Sequence, residues 1–448
     1  MSNDCFIENI KIKDIRNIIN FDIPLSSNER KHLIITGKNG SGKTSTIIEI
    51  NNLLTKIINN QYGQLQRLNK DIENFKRAII SEKNNIESWQ KNILIQKELA
   101  EKTITQEQSK INISSYNQNI INSNQNIINY ENSINGWKKQ IESFSKVDIV
   151  FKNELDLLND ASQGNYLLAY FQSQRKNQPT IPNTITKQTF STKYNTNPSL
   201  SQTFVQYMVN THTEKMFANE EGDIESVRKI EEWFLKVENS FKELFARKDL
   251  SLKFYRKELN YKIEYEDKSF GLNELSDGYS SVLAILTELI LRMESKNINA
   301  YDMQGIVLID EIETHLHVEL QKRILPFLSS FFPKIQFIVT THSPFVLSSL
   351  SNAIICDLEK KFITEDLSAY SYDALIESYF DTDKYSSEMK NKIDRFEELS
   401  LLSEKSSQEE FEYLKLKSYL KKLPTFMAPE LDVKIKELLL KNFPEDFI

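Results

Sequence analysis

The sequence predicts an α/β fold: a mixed sheet around a glycine-rich loop, an antiparallel β subdomain and a helical lobe, with an antiparallel coiled-coil hairpin inserted near the N-terminus. Three observations lead there. The apolar run HLIIT enters Gly37-Lys38-Asn39-Gly40-Ser41-Gly42-Lys43-Thr44 and leaves it as a helical stretch. Isoleucine and leucine then recur every seven residues through Ile141. Two later apolar runs, GIVLID and QFIVTT, end in chemistry-bearing residues, as strands buried on both faces of a parallel sheet do.

Taken in order, residues 5–35 read as short strands (FIENIKIKDI, NFDIPL, HLIIT) and a helix follows from about Thr44, so that 1–55 forms the first part of a head. Residues 56–146 read as the hairpin. No proline falls between Pro24 and Pro179, and Gly63 and Gly136 alone break the glycine-free run between Gly42 and Gly164; either residue weakens a helix interior. Ile58, Leu65, Ile72, Ile79, Ile86 and Ile93 form one heptad series, and Ile113, Ile120, Ile127, Ile134 and Ile141 a second. A strict period of seven suits a partner helix better than the broad stripe of a helix laid on a core. The polar stretch 101–108 separates two arms of ~45 residues, or ~65 Å each at 1.5 Å rise.

Residues 147–350 complete the head. VDIVF and YLLAYF read as strands, 176–203 as a Pro/Ser/Thr/Asn-rich loop, 204–247 as helical, and LSLKFYRKELNYKIEYED as a β-hairpin. A helix from about Gly278, the strand GIVLID, another helix, then QFIVTT and AIICDL finish an α/β pattern. Residues 351–448 form a C-terminal strand and a charged helical tail, in which Asp381-Thr382-Asp383 reads as a polar turn.

Composition removes several classes of function. The 448 residues carry a net charge of −7 and 40% apolar residues, so no global basic character points to nucleic acid or anionic membrane. Cys5 and Cys356 are too few for a disulfide framework or a Cys-rich zinc site. We expect no secretory leader, no membrane span and a cytoplasmic location.

The chemistry sits in four places. In Gly37–Thr44 the glycines let backbone N–H groups and the following helix N-terminus face phosphates. Lys43 would neutralise phosphate charge and Thr44 would ligate Mg²⁺. Asp310 and Glu311 stand at the carboxyl end of a buried strand, placed to hold the Mg²⁺ shell and to polarise an attacking water. Leu275-Ser276-Asp277-Gly278 opens a helix, a position that favours anions. His342 ends the next strand, within reach of a terminal phosphate.

In this order the motifs resemble those of ABC ATPases, and most closely the branch that holds SMC and RecF proteins, OLD ATPases, and the ATPase subunits of anti-phage systems such as PARIS and Septu. The resemblance implies an ATP sandwich in which each phosphate loop faces the signature loop of another copy. It places Walker A on Gly37 to Thr44 with Ser45, Walker B on Asp310, the catalytic carboxylate on Glu311, the signature on Ser276 and Gly278, and the switch histidine on His342. Arg16, in IKDIRNI, matches the nucleotide-contacting arginine of the branch. Its metal-side glutamine is Gln172 or the rival Gln174 in AYFQSQR. The signature has Ser-Asp-Gly for Ser-Gly-Gly, and DEIETHLH puts His317 at the D-loop aspartate position, a form that argues against a transporter. The coil has no Cys-x-x-Cys for a zinc hook.

The resemblance implies a protein that takes ATP and Mg²⁺, hydrolyses ATP, and forms a homodimer or larger homo-oligomer through nucleotide. One reading makes it the sensor or scaffold of an anti-phage system that controls a separate effector, a nuclease, with DNA or a phage protein as a further partner. A second makes it a DNA-repair ATPase that clamps DNA, and a third a switch that binds ATP without turnover.

Overall fold

The structure, a computed structural model, describes residues 4–102, 106–175, 179–191, 193–294, 301–370, 375, 387–402 and 405–421. The chain divides into two compact units, 1–369 and 370–448. In the first, β1 (Phe6–Ile15), β2 (Ile18–Pro24) and β4 (Val147–Lys152) form an antiparallel sheet in the order β2-β1-β4. A six-stranded sheet combines β3 (His32–Thr36), β5 (Leu167–Phe171), β9 (Gly305–Ile309), β10 (Ile335–Thr340), β11 (Ala353–Asp357) and β12 (Phe362–Glu365) in the order β12-β11-β3-β10-β9-β5. Its strands run parallel except for β12, which pairs antiparallel at the edge. The mixed sheet expected from sequence is therefore present, and it continues through β11 and β12, past the boundary expected at residue 350.

Helix α1 (Lys43–Ile58) lies in the core that joins the two sheets. Its Ile47, Ile50, Leu53, Leu54 and Ile57 share that core with Ile10, Ile12 and Ile149 of the antiparallel sheet and with Leu33, Leu308 and Ile338 of the parallel one. Burial of apolar surface on both flanks, worth about 1.5–3 kcal/mol per large side chain, fixes the helix that follows the glycine loop.

The arms leave from this helix as α2 (Tyr62–Lys102) and α3 (Gln106–Phe144), each ~60 Å long at 1.5 Å per residue; the bend between them, 103–105, lies outside the described residues. They pack antiparallel. Phe75 meets Tyr130 and Trp137, with ring centroids 4.9 and 4.8 Å away, and Gln96 accepts a hydrogen bond from Asn112. The isoleucines of both heptad series on the arms are buried or half-buried, so the period of seven describes the seam between the helices. The seam is polar at one layer, where Glu82 accepts hydrogen bonds from Ser123 Oγ at 2.6 Å and Asn126 Nδ2 at 3.1 Å.

After β4 comes α4 (Glu154–Gln163). The helical lobe consists of α5 (Phe204–Glu221), α6 (Ile224–Phe245) and α7 (Asp277–Glu294), with a third sheet of β6 (Ser251–Tyr255), β7 (Asn260–Tyr265) and β8 (Lys268–Gly271) in antiparallel succession. Asp223 caps α6 by accepting the Ser226 amide. Helix α7 is buried from Ser280 through Met293, the setting a helix that is apolar on all sides requires. Its Glu288 and Arg292 pair at 2.8 Å, and Glu288 also accepts the amides of Ser199, Leu200 and Ser201. That ties down the end of the Pro/Ser/Thr/Asn-rich loop. Helices α8 (Val318–Phe331) and α9 (Pro344–Leu347) follow β9 and β10.

The second unit contains α10 (Ser387–Leu401) and α11 (Ser407–Lys421), which share a small core where the rings of Phe396 and Tyr413 stack 5.2 Å apart. Asp381-Thr382-Asp383 lies outside the described residues.

Candidate nucleotide site

Strand order assembles the site. Because β10 lies between β3 and β9, the glycine loop, His342 and the Asp310–Glu311 pair emerge from three adjacent parallel strands at their carboxyl ends. Ligands bind at this edge of open α/β sheets.

The loop is wound so tightly at Gly37 (φ +135°) that a Cβ would lie 2.7 Å from Ser41 Oγ. Gly42 is the N-cap of α1 and supplies no side-chain cap, so the first N–H groups of the helix are left for an anion. Lys43 is buried inside the loop, its Nζ donating to the carbonyls of Gly37 at 2.8 Å and Lys38 at 3.1 Å. Burial pushes the pKa of this ammonium down, against the pull of the Glu311, Glu313, Asp310 and Asp357 carboxylates. Lys38 pairs with Glu359 at 3.0 Å. Asn39 and Gly40 are exposed, Ser45 is half-buried, and Ser41 Oγ is buried without a hydrogen-bond partner. A glycine cradle, an orphaned hydroxyl and an ammonium held by loop carbonyls fit a polyphosphate.

Asp310 is 3% exposed. Its Oδ1 accepts from Thr340 Oγ1 at 2.5 Å and from Thr44 Oγ1 at 3.4 Å. Thr44 and Asp310 thus face one another as a two-ligand Mg²⁺ set would. Among the described residues no group of three or more His, Cys, Asp or Glu side chains could hold a metal. Glu311 follows in a left-handed backbone conformation (φ +46°), its amide donating to Thr340 Oγ1 at 2.8 Å and its carboxylate accepting from Thr314. His342 is held through its amide, which donates to Glu313 Oε1 at 2.5 Å. Burial first, and the Lys43 ammonium second, lower the pKa of its imidazole, so it is neutral at neutral pH.

The remaining candidates divide. Gln172 is exposed immediately after β5, and since Phe171 pairs with Ile309 it comes level with Asp310; Gln174 is exposed as well. Arg16 sits in the tight turn between β1 and β2 (φ +53°) with its guanidinium 3.5 Å from the Gly40 carbonyl. Ser276 is exposed and Gly278 buried at the start of α7. A Cβ on Gly278 would come within 2.8 Å of the His315 carbonyl, so this segment packs closely on the backbone of His315 and Leu316. His317 is the N-cap of α8, with an exposed side chain.

Sequence reasoning missed four residues. Thr340 could have been found as the polar residue that closes an otherwise apolar strand. Glu313 and Glu359 carry no signal, since each matters through a contact distant in sequence. Arg175, 7% exposed, reaches the backbone carbonyls of Asp310, Glu311 and Ile312.

Residues 226–348, which carry the signature segment, the acidic pair and His342, match the family described as "AAA domain, putative AbiEii toxin, Type IV TA system". The Septu protein PtuA of Bacillus mycoides (strain KBAB4) is 37% identical over 131 residues, which cover 26% of this chain and 18% of that protein. The retron Ec83 probable ATPase of Escherichia coli is 39% identical over 105 residues, 23% of this chain and 19% of that protein. The chain thus spans about a fifth of the length of these relatives. The expected resemblance to ATPases of anti-phage systems is borne out at this level. Among solved structures, the Smc head domain with an extended coiled coil from Pyrococcus furiosus aligns over 80% of this chain and 95% of that one, at 11% identity and a TM-score of 0.29. Among the described residues no helix is long and apolar enough to cross a membrane.

Proposed function

We propose that this ABC-type head binds ATP with Mg²⁺ in loop 37–44 and hydrolyses it when a second copy presents Ser276 and Gly278 to the same nucleotide. The observation that supports this reading is the Thr44–Asp310 contact of 3.4 Å with Glu311 next in the chain, the arrangement expected of a metal shell and a general base beside a phosphate cradle.

ATP supplies the phosphoanhydride, and Mg²⁺ the charge that eases its cleavage. The chain supplies the rest. Lys43 exchanges the loop carbonyls for phosphate oxygens, and Glu311 takes the proton of the attacking water. Neutral His342 donates a hydrogen bond to the oxygen on which charge develops. The exposed Ser276 at the helix start is suited to an intermolecular contact, because a helix N-terminus with a free face attracts anions.

In its biological role we read the chain as the ATPase subunit, sensor or scaffold, of an anti-phage system, acting on a separate effector nuclease. Support comes from the similarity of about a quarter of the chain to a Septu protein and a retron ATPase. The deciding experiment is Glu311→Gln. We expect turnover to fall by at least ~100-fold with ATP affinity kept and a nucleotide-dependent dimer accumulating on size exclusion, while Lys43→Ala abolishes ATP binding. Turnover in Glu311→Gln equal to wild type would sink the assignment. The effector role is tested by co-expression with the products of adjacent genes; failure of each to co-purify, with and without ATP, would remove it.

A further inference from the structure

We propose that Arg175 is a positioning residue that couples the helix behind the signature segment to the backbone of the Glu311 turn. The proposal rests on the hydrolytic reading above.

Arg175 lies past the end of β5, buried, and its guanidinium uses all five N–H donors on three separate elements. Nε donates to Ser281 Oγ on α7 at 3.1 Å. One terminal nitrogen donates to the Gln172 carbonyl at 3.0 Å and the Asp310 carbonyl at 2.7 Å; the other donates to the carbonyls of Glu311 at 3.0 Å and Ile312 at 3.3 Å. Glu311 is thereby held at its own carbonyl and at both neighbouring carbonyls, and this is the residue in the left-handed conformation. Such a backbone state persists only where its surroundings over-determine it.

The link to α7 is what makes this more than a buried scaffold bond. Ser281 lies five residues beyond Ser276 on a helix buried along its length, ~7.5 Å along the axis. A rigid helix displaced at Ser276 carries Ser281 with it, and the Arg175 fork transmits the shift to the carbonyls around Glu311. Gln172, whose carbonyl shares one terminal nitrogen with that of Asp310, adds the strand end level with Asp310. Burial draws the pKa of the guanidinium down to about 10, with the Glu313, Asp310 and Glu311 carboxylates opposing, so it keeps its charge at neutral pH. Lysine cannot replace it, because three donors on a point charge cannot span this fork.

The experiment compares Ser281→Ala, Arg175→Lys and Glu311→Gln with wild type in the full chain. ATP affinity is measured by fluorescent nucleotide titration at protein concentrations below dimerisation, and kcat and KM by phosphate release. Coupling predicts that Ser281→Ala and Arg175→Lys bind ATP within about threefold of wild type but lose at least ~10-fold in kcat at unchanged KM. It also predicts that Ser281→Ala combined with Glu311→Gln still forms the ATP-trapped dimer, since the link acts after assembly. Arg175→Lys leaves buried carbonyls without donors and so loses stability on its own account; Ser281→Ala, a single buried hydroxyl, is the variant that decides. If wild type hydrolyses ATP, Glu311→Gln stops it, and Ser281→Ala turns over within twofold of wild type, the coupling is wrong and the hydrolytic reading stands. If Glu311→Gln hydrolyses like wild type, the hydrolytic reading itself has failed.

Discussion

Thr340 holds Asp310: its hydroxyl donates to Asp310 Oδ1 at 2.5 Å and accepts the Glu311 amide at 2.8 Å. One hydroxyl of β10, the strand between the glycine loop and the acidic strand, thus aims the Asp310 carboxylate and closes the turn that carries the neighbouring glutamate. Asp310 is left with lone pairs directed toward Thr44.

Removing that hydroxyl at nearly constant volume isolates its contribution. Thr340→Val leaves a buried carboxylate oxygen without its short donor and the Glu311 amide without an acceptor, a cost of about 1–3 kcal/mol for each unsatisfied group. We expect a lower midpoint in chemical denaturation and a kcat reduced about 10–100-fold, with ATP affinity changed far less because Lys43 and the loop are untouched. Thr340→Ser, which restores the hydroxyl, is expected to recover most of both. Equal losses in the two variants would show that packing, not the hydrogen bonds, matters at this position.

A second relationship controls stability against pH. His32 opens β3, is 7% exposed, and accepts the Phe337 amide on Nδ1 at 3.0 Å. Burial first, and Arg30 second, push its pKa from 6.5 down to about 4. Between those values the unfolded chain binds a proton that the folded chain refuses, so stability is fully present above pH 6.5 and drains away as pH falls toward 4. At about 1.4 kcal/mol per pH unit the loss approaches about 3 kcal/mol. Denaturation midpoints of wild type and His32→Asn from pH 7.5 to 4.5 are expected to converge on acidification, because the variant lacks this proton. Parallel curves would exclude His32 as the source.

The buried pair Glu288–Arg292 makes a sharper stability prediction. Both side chains are almost wholly enclosed, and Arg292 also donates to the carbonyls of Leu168 and Asn197. Glu288→Ala strands a guanidinium and three loop amides, for which about 3–5 kcal/mol is expected. The double variant Glu288→Leu/Arg292→Leu should lie closer to wild type than the sum of the singles, since it removes the stranded charge. Urea titration of wild type, Glu288→Leu, Arg292→Leu and the double variant gives the coupling, and strict additivity would mean that the two side chains act independently.

What could be read from sequence was local. The glycine loop has fixed spacing, the heptads repeat, and an apolar run of five or six residues between loops is a buried strand whatever its partners. Residues that act through tertiary contact were invisible. Arg175 meets the Asp310 carbonyl across 135 residues, and nothing in FQSQR shows that β5 will pair with β9. The i,i+4 spacing of Glu288 and Arg292 was visible, but not the loop amides at 199–201 that share the carboxylate. Ser276 was legible as a helix start, yet the role proposed for it depends on a second copy and no feature of one chain displays it. The hairpin came out a few residues shorter than 56–146 because α1 runs on to Ile58 to fill the core between the sheets.

The seam of the hairpin offers the last prediction. Glu82 occupies a position that heptad spacing reserves for an apolar residue, three after Ile79, and it meets Ser123 and Asn126 of the facing arm. Those two hydrogen bonds hold its carboxyl below the usual carboxylate range. Polar layers of this kind fix alignment at a cost in stability. Replacing both sides, Glu82→Leu with Ser123→Leu, should therefore strengthen the arm while loosening its register. We expect amide hydrogen exchange in α2 and α3 of the full chain to slow about 5–30-fold around this layer, equivalent to about 1–2 kcal/mol of added local stability. Disulfide cross-linking between introduced cysteines at a matched and a one-heptad-shifted position reads the register. The wild type should cross-link at the matched pair alone and the leucine variant at both. Unchanged exchange together with a single cross-linked register in the variant would mean that the aromatic layer of Phe75, Tyr130 and Trp137, not Glu82, sets the alignment.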